Sequence, residues 1–186
     1  MSKRYYIMAL NEESGCPTGF YYSVLAKDFE GVHGDYGYNP WYAGPKRYGG
    51  ALPPLPDQLI LMEERNYRYD VRKGSGHFYV ISDKFEKCLS KIKHSFSEVK
   101  AVDCVDDNGN PRVERIVFVA IPKKFKVEIC LDPSRSKLIS PRGIEYDSLH
   151  FKEEWDFDLF DILGISSSQA SLICSEEAKK IFEDHG

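Results

Sequence analysis

Apolar residues fall at two kinds of spacing along this chain, and twice the spacing changes at a serine. In the first instance Phe78-Tyr79-Val80-Ile81 is an unbroken apolar run, Ser82-Asp83 follows, and Phe85, Cys88, Leu89 and Ile92 then recur at helical intervals. In the second, Leu172-Ile173-Cys174 runs into Ser175-Glu176-Glu177, and Ala178, Ile181 and Phe182 take up the helical spacing. The change of period predicts a strand feeding an amphipathic helix at both places. A serine hydroxyl at such a junction accepts one of the N–H groups that the first helical turn leaves unpaired. Asp83, Glu176 and Glu177 put negative charge at the positive end of the helix dipole. Internal repetition and two similar corners built by the same capping chemistry both account for the pattern. Two copies fall short of the three or more that a stacked array needs.

Elsewhere the pattern is mostly of strands. Residues 4–10 and 20–25 are candidate strands separated by a turn at Gly15-Cys16-Pro17. Residues 58–63 are apolar enough for a buried strand, and residues 67–72 alternate as a half-exposed strand does. Residues 99–105 and 113–121 flank Asp106-Asp107-Asn108-Gly109-Asn110, and Asn-Gly between two β-rich runs predicts a hairpin. Residues 125–131 alternate again and stop at Asp132-Pro133, with an irregular stretch over 134–150. Strands outnumber helices and hairpins dominate. The predicted class is α+β, a mainly antiparallel sheet with a few short amphipathic helices, two of them in the strand-to-capped-helix units.

Residues 31–56 break the pattern. Glycine and proline at this density forbid long regular structure, and a loop of this length is usually either functional or disordered. Tyr36, Tyr38, Trp41 and Tyr42 need a surface to lie on, either their own domain or a partner. The 186 residues are expected to form a single domain, with strands and the long loop over 1–57 and the core over 58–186.

Charge and cysteine content narrow the function. A formal charge of −4 argues against nucleic acid as a direct partner, since such modules carry a clustered basic face. The longest apolar runs are too short to cross a membrane. The N-terminus begins basic, but its apolar stretch meets Asn11-Glu12-Glu13 with no small-residue cleavage site. Five cysteines without framework spacing suit a reducing compartment, so the expected location is the cytoplasm.

The chemistry that spacing can reveal is absent from the sequence. Gly74-Ser75-Gly76 precedes a strand instead of following one, the wrong context for a dinucleotide fingerprint. The cysteines never pair at zinc spacing, and the Asp106–Asn110 cluster lacks the ligand alternation of a calcium loop. No catalytic residue, metal or cofactor is assigned. A site assembled in space from His, Cys or Ser, as in a hydrolase or transferase, stays open as an alternative, as does a homo-oligomeric accessory module.

Between residues 145 and 161 seven carboxylates face one cation, Lys152. Trp155, Phe157 and Leu159 alternate with Asp156, Asp158 and Phe160, which would place carboxylates on one side of a strand. Such a face is either a solvated strand surface or a docking site for a basic protein, with aromatics as anchors. The candidate partner-binding residues are Asp147, Glu153, Glu154, Trp155, Asp156 and Asp158, together with Tyr36, Tyr38, Trp41 and Tyr42.

The repeated phrase, the hairpin between its copies and Asp158-Leu159-Phe160-Asp161-Ile162 ahead of the second copy together resemble immunity protein family eleven, formerly a domain of unknown function. Ile81-Ser82-Asp83-Lys84-Phe85 and Cys174-Ser175-Glu176-Glu177-Ala178 carry the likeness, which spans roughly residues 59–186. The family is encoded beside toxin genes in bacterial polymorphic toxin systems. The resemblance implies a non-catalytic cytoplasmic protein that binds a cognate toxin domain, often a nuclease, and blocks it. It supplies no catalytic residues and identifies no toxin-binding surface. Nuclease domains tend to be basic because they engage phosphates, so the acidic stretch and the aromatic loop are the expected contacts.

Overall fold

A computed structural model describes residues 3–9, 23–28, 54–74, 78–112, 116–139, 146–163 and 172–185. In chain order the described strands are β1 (Tyr5–Ile7), β2 (Ser23–Ala26), β3 (Ile60–Glu63), β4 (Val71–Lys73), β5 (Tyr79–Ser82), β6 (Phe96–Val105) and β7 (Val117–Pro122). They continue with β8 (Lys124–Lys126), β9 (Lys137–Leu138), β10 (Tyr146–Ser148), β11 (Leu159–Leu163) and β12 (Leu172–Ser175). The described helices are α1 (Asp83–Leu89), α2 (Val127–Cys130) and α3 (Glu176–His185). The fold is α+β, with mainly antiparallel strand pairs and short helices.

The chain divides into two compact units, each drawn from separate stretches of sequence. One is Asn11–Glu86 with Ser97–Ile121, so the expected division between 1–57 and 58–186 falls inside it. Its sheet has the order β2-β3-β6-β7-β5-β4. In this sheet β2 with β3, β4 with β5 and β5 with β7 pair antiparallel, and β3 with β6 in parallel. Leu25, Leu61, Phe78, Val80, Val117 and Val119 fill its core. The expected hairpin joins β6 and β7. Asp106 accepts from the backbone N–H groups of Asn108 at 2.9 Å and Asn110 at 2.8 Å. Gly109 takes a φ of 81°, a left-handed conformation in which a Cβ is penalised.

Two expectations for this unit change. Of the alternating residues 67–72 only the end enters a strand, β4. Tyr67 and Tyr69 lie outside it and pack on the core as side chains. The Tyr69 hydroxyl donates to the fully buried Glu63 carboxylate, so a side-chain bond stands where the alternation predicts a ladder. In the segment 113–121 strand geometry begins at Val117, with Ile116 exposed. Residues 113–115 lie outside the described residues.

The other unit is Met1–Leu10, Lys87–Phe96 and Pro122–Gly186. Its four-stranded sheet has the order β1-β12-β11-β8, with β11 parallel to β8 and the other pairs antiparallel. Phe125, Val127, Cys130, Leu131, Phe160, Ile162 and Ile173 form the core, with Tyr5, Trp155 and Phe157 packed against it. Residues 125–131 do not continue as one strand. After β8 the chain turns into α2, burying Val127 and Cys130 three apart and exposing Ile129. Val127 suits either pattern, but alternation would bury Ile129 and expose Cys130 while a helical turn does the reverse, so a run this short is ambiguous between them. The stretch expected to be irregular contains an antiparallel ribbon of β9 and β10. The expected two-faced strand over 155–160 also changes. Trp155 and Phe157 precede the strand, and Leu159 and Phe160 are both fully buried.

The two strand-to-helix corners form as predicted and share a further residue. The backbone N–H of Phe85 donates to the Ser82 hydroxyl, and that of Ala178 to the Ser175 hydroxyl, both at 3.2 Å. Each serine in turn donates its hydroxyl to an aspartate that precedes the partner strand: Ser82 to Asp70 at 2.7 Å, Ser175 to Asp158 at 2.9 Å. Each also donates its backbone N–H to that aspartate's carbonyl, at 2.9 and 2.7 Å. The repeated phrase is therefore an Asp–strand–strand–Ser–helix corner, one in each unit.

Candidate functional site

The acidic stretch is built around β11 and divides into carboxylates that the fold uses and carboxylates it leaves in solvent. Asp158 belongs to the first kind. It accepts from the Lys3 ammonium at 2.7 Å, the Lys93 backbone N–H at 3.0 Å and the Ser175 hydroxyl. Burial pushes its carboxyl up, but these three donors outweigh that and hold it below the usual carboxylate range. It thereby joins the segment ahead of β1, the turn after α1 and the cap of α3. Asp156 is exposed and ion-paired to Lys93, whose hydrogen bond is the main reason its carboxyl also lies low. Asp161 is fully buried and 3.1 Å from the Lys124 ammonium. Asp147, on β10, pairs with Lys137 at 3.1 Å.

Trp155 is half-buried, its ring edge-on to Phe125 at 4.8 Å and to Phe160 at 5.2 Å between centroids. Its carbonyl accepts from the Tyr5 hydroxyl at 3.0 Å. Burial, with Asp158 and Asp156 nearby, raises that phenol to about 12.

Glu153 and Glu154 are left in solvent, in a turn that Lys152 pins to α2. The Lys152 ammonium donates to the carbonyls of Glu128 at 3.0 Å and Ile129 at 2.9 Å, and its backbone N–H donates to Cys130 O at 3.0 Å. The only cation of the stretch is thus spent on the carbonyl end of α2. Glu128, Glu153 and Glu154 stay exposed, with no ion pair among the described residues, beside an Ile129 that is 53% exposed. Of the sequence candidates, the structure brings Glu153 and Glu154 to this corner. It adds Glu128 and Ile129, which alternation hides by assigning Ile129 to a buried strand face. Tyr36, Tyr38, Trp41 and Tyr42 lie outside the described residues.

The thiols among the described residues are enclosed. Cys88, Cys104, Cys130 and Cys174 are buried and free, and burial raises the Cys130 and Cys174 thiols to about 11. Burial lowers His94 below its ordinary value. Among the described residues no group of three or more His, Cys, Asp or Glu is placed to hold a metal ion, and no helix is long and apolar enough to cross a membrane.

The same unit contains a cleft of about 510 Å³ between β1 and the segment 146–151, with Arg135 and Ile173 also in its walls. No protein-family model matches the chain, and no curated protein does.

Proposed function

We propose that this protein is a non-catalytic binder of the immunity class, covering a basic toxin domain, plausibly a nuclease, in the cytoplasm of the cell that makes both. The observation that supports this reading is the corner formed by α2 and the 152–154 turn. Glu128 and the half-exposed Ile129 of α2 lie in the segment to which Lys152 holds the turn bearing the exposed Glu153 and Glu154, and the Lys152 ammonium is engaged with backbone. An exposed apolar residue on a corner that carries exposed carboxylates matches what an interface with an oppositely charged protein needs. The charge speeds encounter, and the apolar centre is desolvated on contact. The turn is anchored at three points, so little ordering entropy opposes docking.

The resemblance to immunity protein family eleven supports the same function. Neutralisation of this kind requires a rigid face and slow dissociation, and affinity differences among related complexes reside mostly in the off-rate. The test is association of this chain with the toxin domain encoded beside it. Reversing Glu128, Glu153 and Glu154 to lysine is expected to slow association at low salt by roughly tenfold or more, with the difference shrinking as salt rises. An unchanged on-rate would remove this corner from the interface. The absence of any complex would remove the function itself.

A further inference from the structure

The cleft of about 510 Å³ lies on a different part of the same unit and carries the opposite charge. One wall is β1, which stands at the end of its sheet among the described strands. Pairing with β12 uses the backbones of alternate residues. Glu176 N–H donates to Arg4 O, and Met8 N–H donates to Leu172 O, both at 3.0 Å. In an antiparallel ladder the intervening residues point their N–H and C=O the other way, so Tyr5 and Ile7 present theirs along the open edge. An open edge of this kind is a template for a further strand.

Side chains around the edge specify what strand it fits. On one face Ile7 is 55% exposed, and Leu149 and Phe151 are apolar wall residues. Arg4 lies on the other face. Arg4 and Arg135 both line the cleft, are exposed, and form no ion pair among the described residues. The carboxylate in the lining, Asp147, is paired to Lys137, and Lys3 is paired to Asp158. Arg4 therefore remains without a carboxylate partner among the described residues, beside a strand edge that no described strand pairs, while the charge of Arg135 in the same lining acts on Asp132.

The geometry points to a peptide-binding slot: β1 accepts an extended segment of a partner protein in which apolar residues alternate with acidic ones. The apolar residues lie over Ile7 and Phe151, and a carboxylate lies cross-strand from Arg4, the relation in which opposite charges stabilise a sheet pair. This inference does not rest on toxin neutralisation and is tested without a toxin.

The probe is a fluorescein-labelled Glu-Val-Glu-Val-Glu-Val peptide, read by anisotropy against the intact protein. Binding is expected for this peptide and not for its Lys-Val counterpart. N-methylation of alternate peptide bonds should abolish binding on one edge of the peptide and be tolerated on the other. Arg4→Glu and Arg135→Glu, both at exposed positions, should each weaken binding about tenfold while leaving the far-UV spectrum unchanged. Equal binding of the two peptides, indifference to methylation, or loss on both edges alike would overturn the slot. So would an oligothymidylate that competes as well as the glutamate peptide, because it would reduce the site to a charge trap.

Discussion

Replacing Asp158 with asparagine removes a carboxylate on which three segments converge, through the Lys3 ammonium, the Lys93 N–H and the Ser175 hydroxyl. Loss of hydrogen bonds to a charged, mostly buried group is expected to cost about 1–3 kcal/mol of stability at neutral pH, measured by urea denaturation. The pH dependence has a definite sign. The folded carboxyl ionises below its unfolded value, roughly 4. Its contribution is therefore complete above that value and is lost as pH falls through the folded one. Melting curves of the wild type and Asp158→Asn should be well separated at neutral pH and converge in acid. At Asp156, exposed and paired only to Lys93, the same substitution should leave the melting temperature unchanged, as is usual for surface pairs. Burial keeps the Cys130 and Cys174 thiols near 11. Both are expected to react with a thiol reagent at mildly alkaline pH only after denaturation. Sequence pattern groups Asp158 with its acidic neighbours because its partners are distant in the chain. Lys3 is 155 residues away and Lys93 is 65, separations that no local period registers.

The corners offer a sharper test at the scale of the element. Ser175→Ala should cost about 1 kcal/mol for the cap alone. A cycle with Asp158→Asn should show coupling of about 0.5–3 kcal/mol, because the two side chains share a bond. The same cycle on Ser82 and Asp70, an exposed pair, should show less. The hairpin after β4 carries another constraint. A Cβ on Gly74 would come within 2.2 Å of the Phe78 ring, a ring that is itself buried. Gly74→Ala should therefore destabilise by about 1–3 kcal/mol, the usual range for forcing atoms into a packed core. Caps, the Asn-Gly hairpin and the buried β3 were legible in sequence because each is decided by neighbours within a few residues. Residues 125–131 were not, since Phe125, Val127, Ile129 and Leu131 fit a strand, Val127 and Cys130 fit a turn of helix, and only packing chooses. Trp155 and Phe157 likewise reach the core from outside any strand, which alternation cannot express.

For the whole molecule, composition shows a modest acidic excess and the structure shows where that charge is left over. Much of the 145–161 stretch is neutralised within its own unit, by Lys3, Lys93, Lys124 and Lys137. Among its described carboxylates Glu153 and Glu154 stay exposed without an ion pair, as does Glu128 of α2, and the cleft along β1 holds Arg4 without a carboxylate partner among the described residues. Neither segregation is visible in a charge count, because it depends on which lysines the fold places beside which aspartates. Under the proposed function this protein acts by covering another protein. The most direct measurement takes the toxin domain that this proposal expects to be encoded beside the chain and titrates its activity with the purified chain. Activity falling linearly to an endpoint at equal molar amounts, with the toxin recovered intact from the complex, is the expected result. Full toxin activity in excess chain, or inactivation by substoichiometric amounts that leaves the toxin chemically altered, would contradict it.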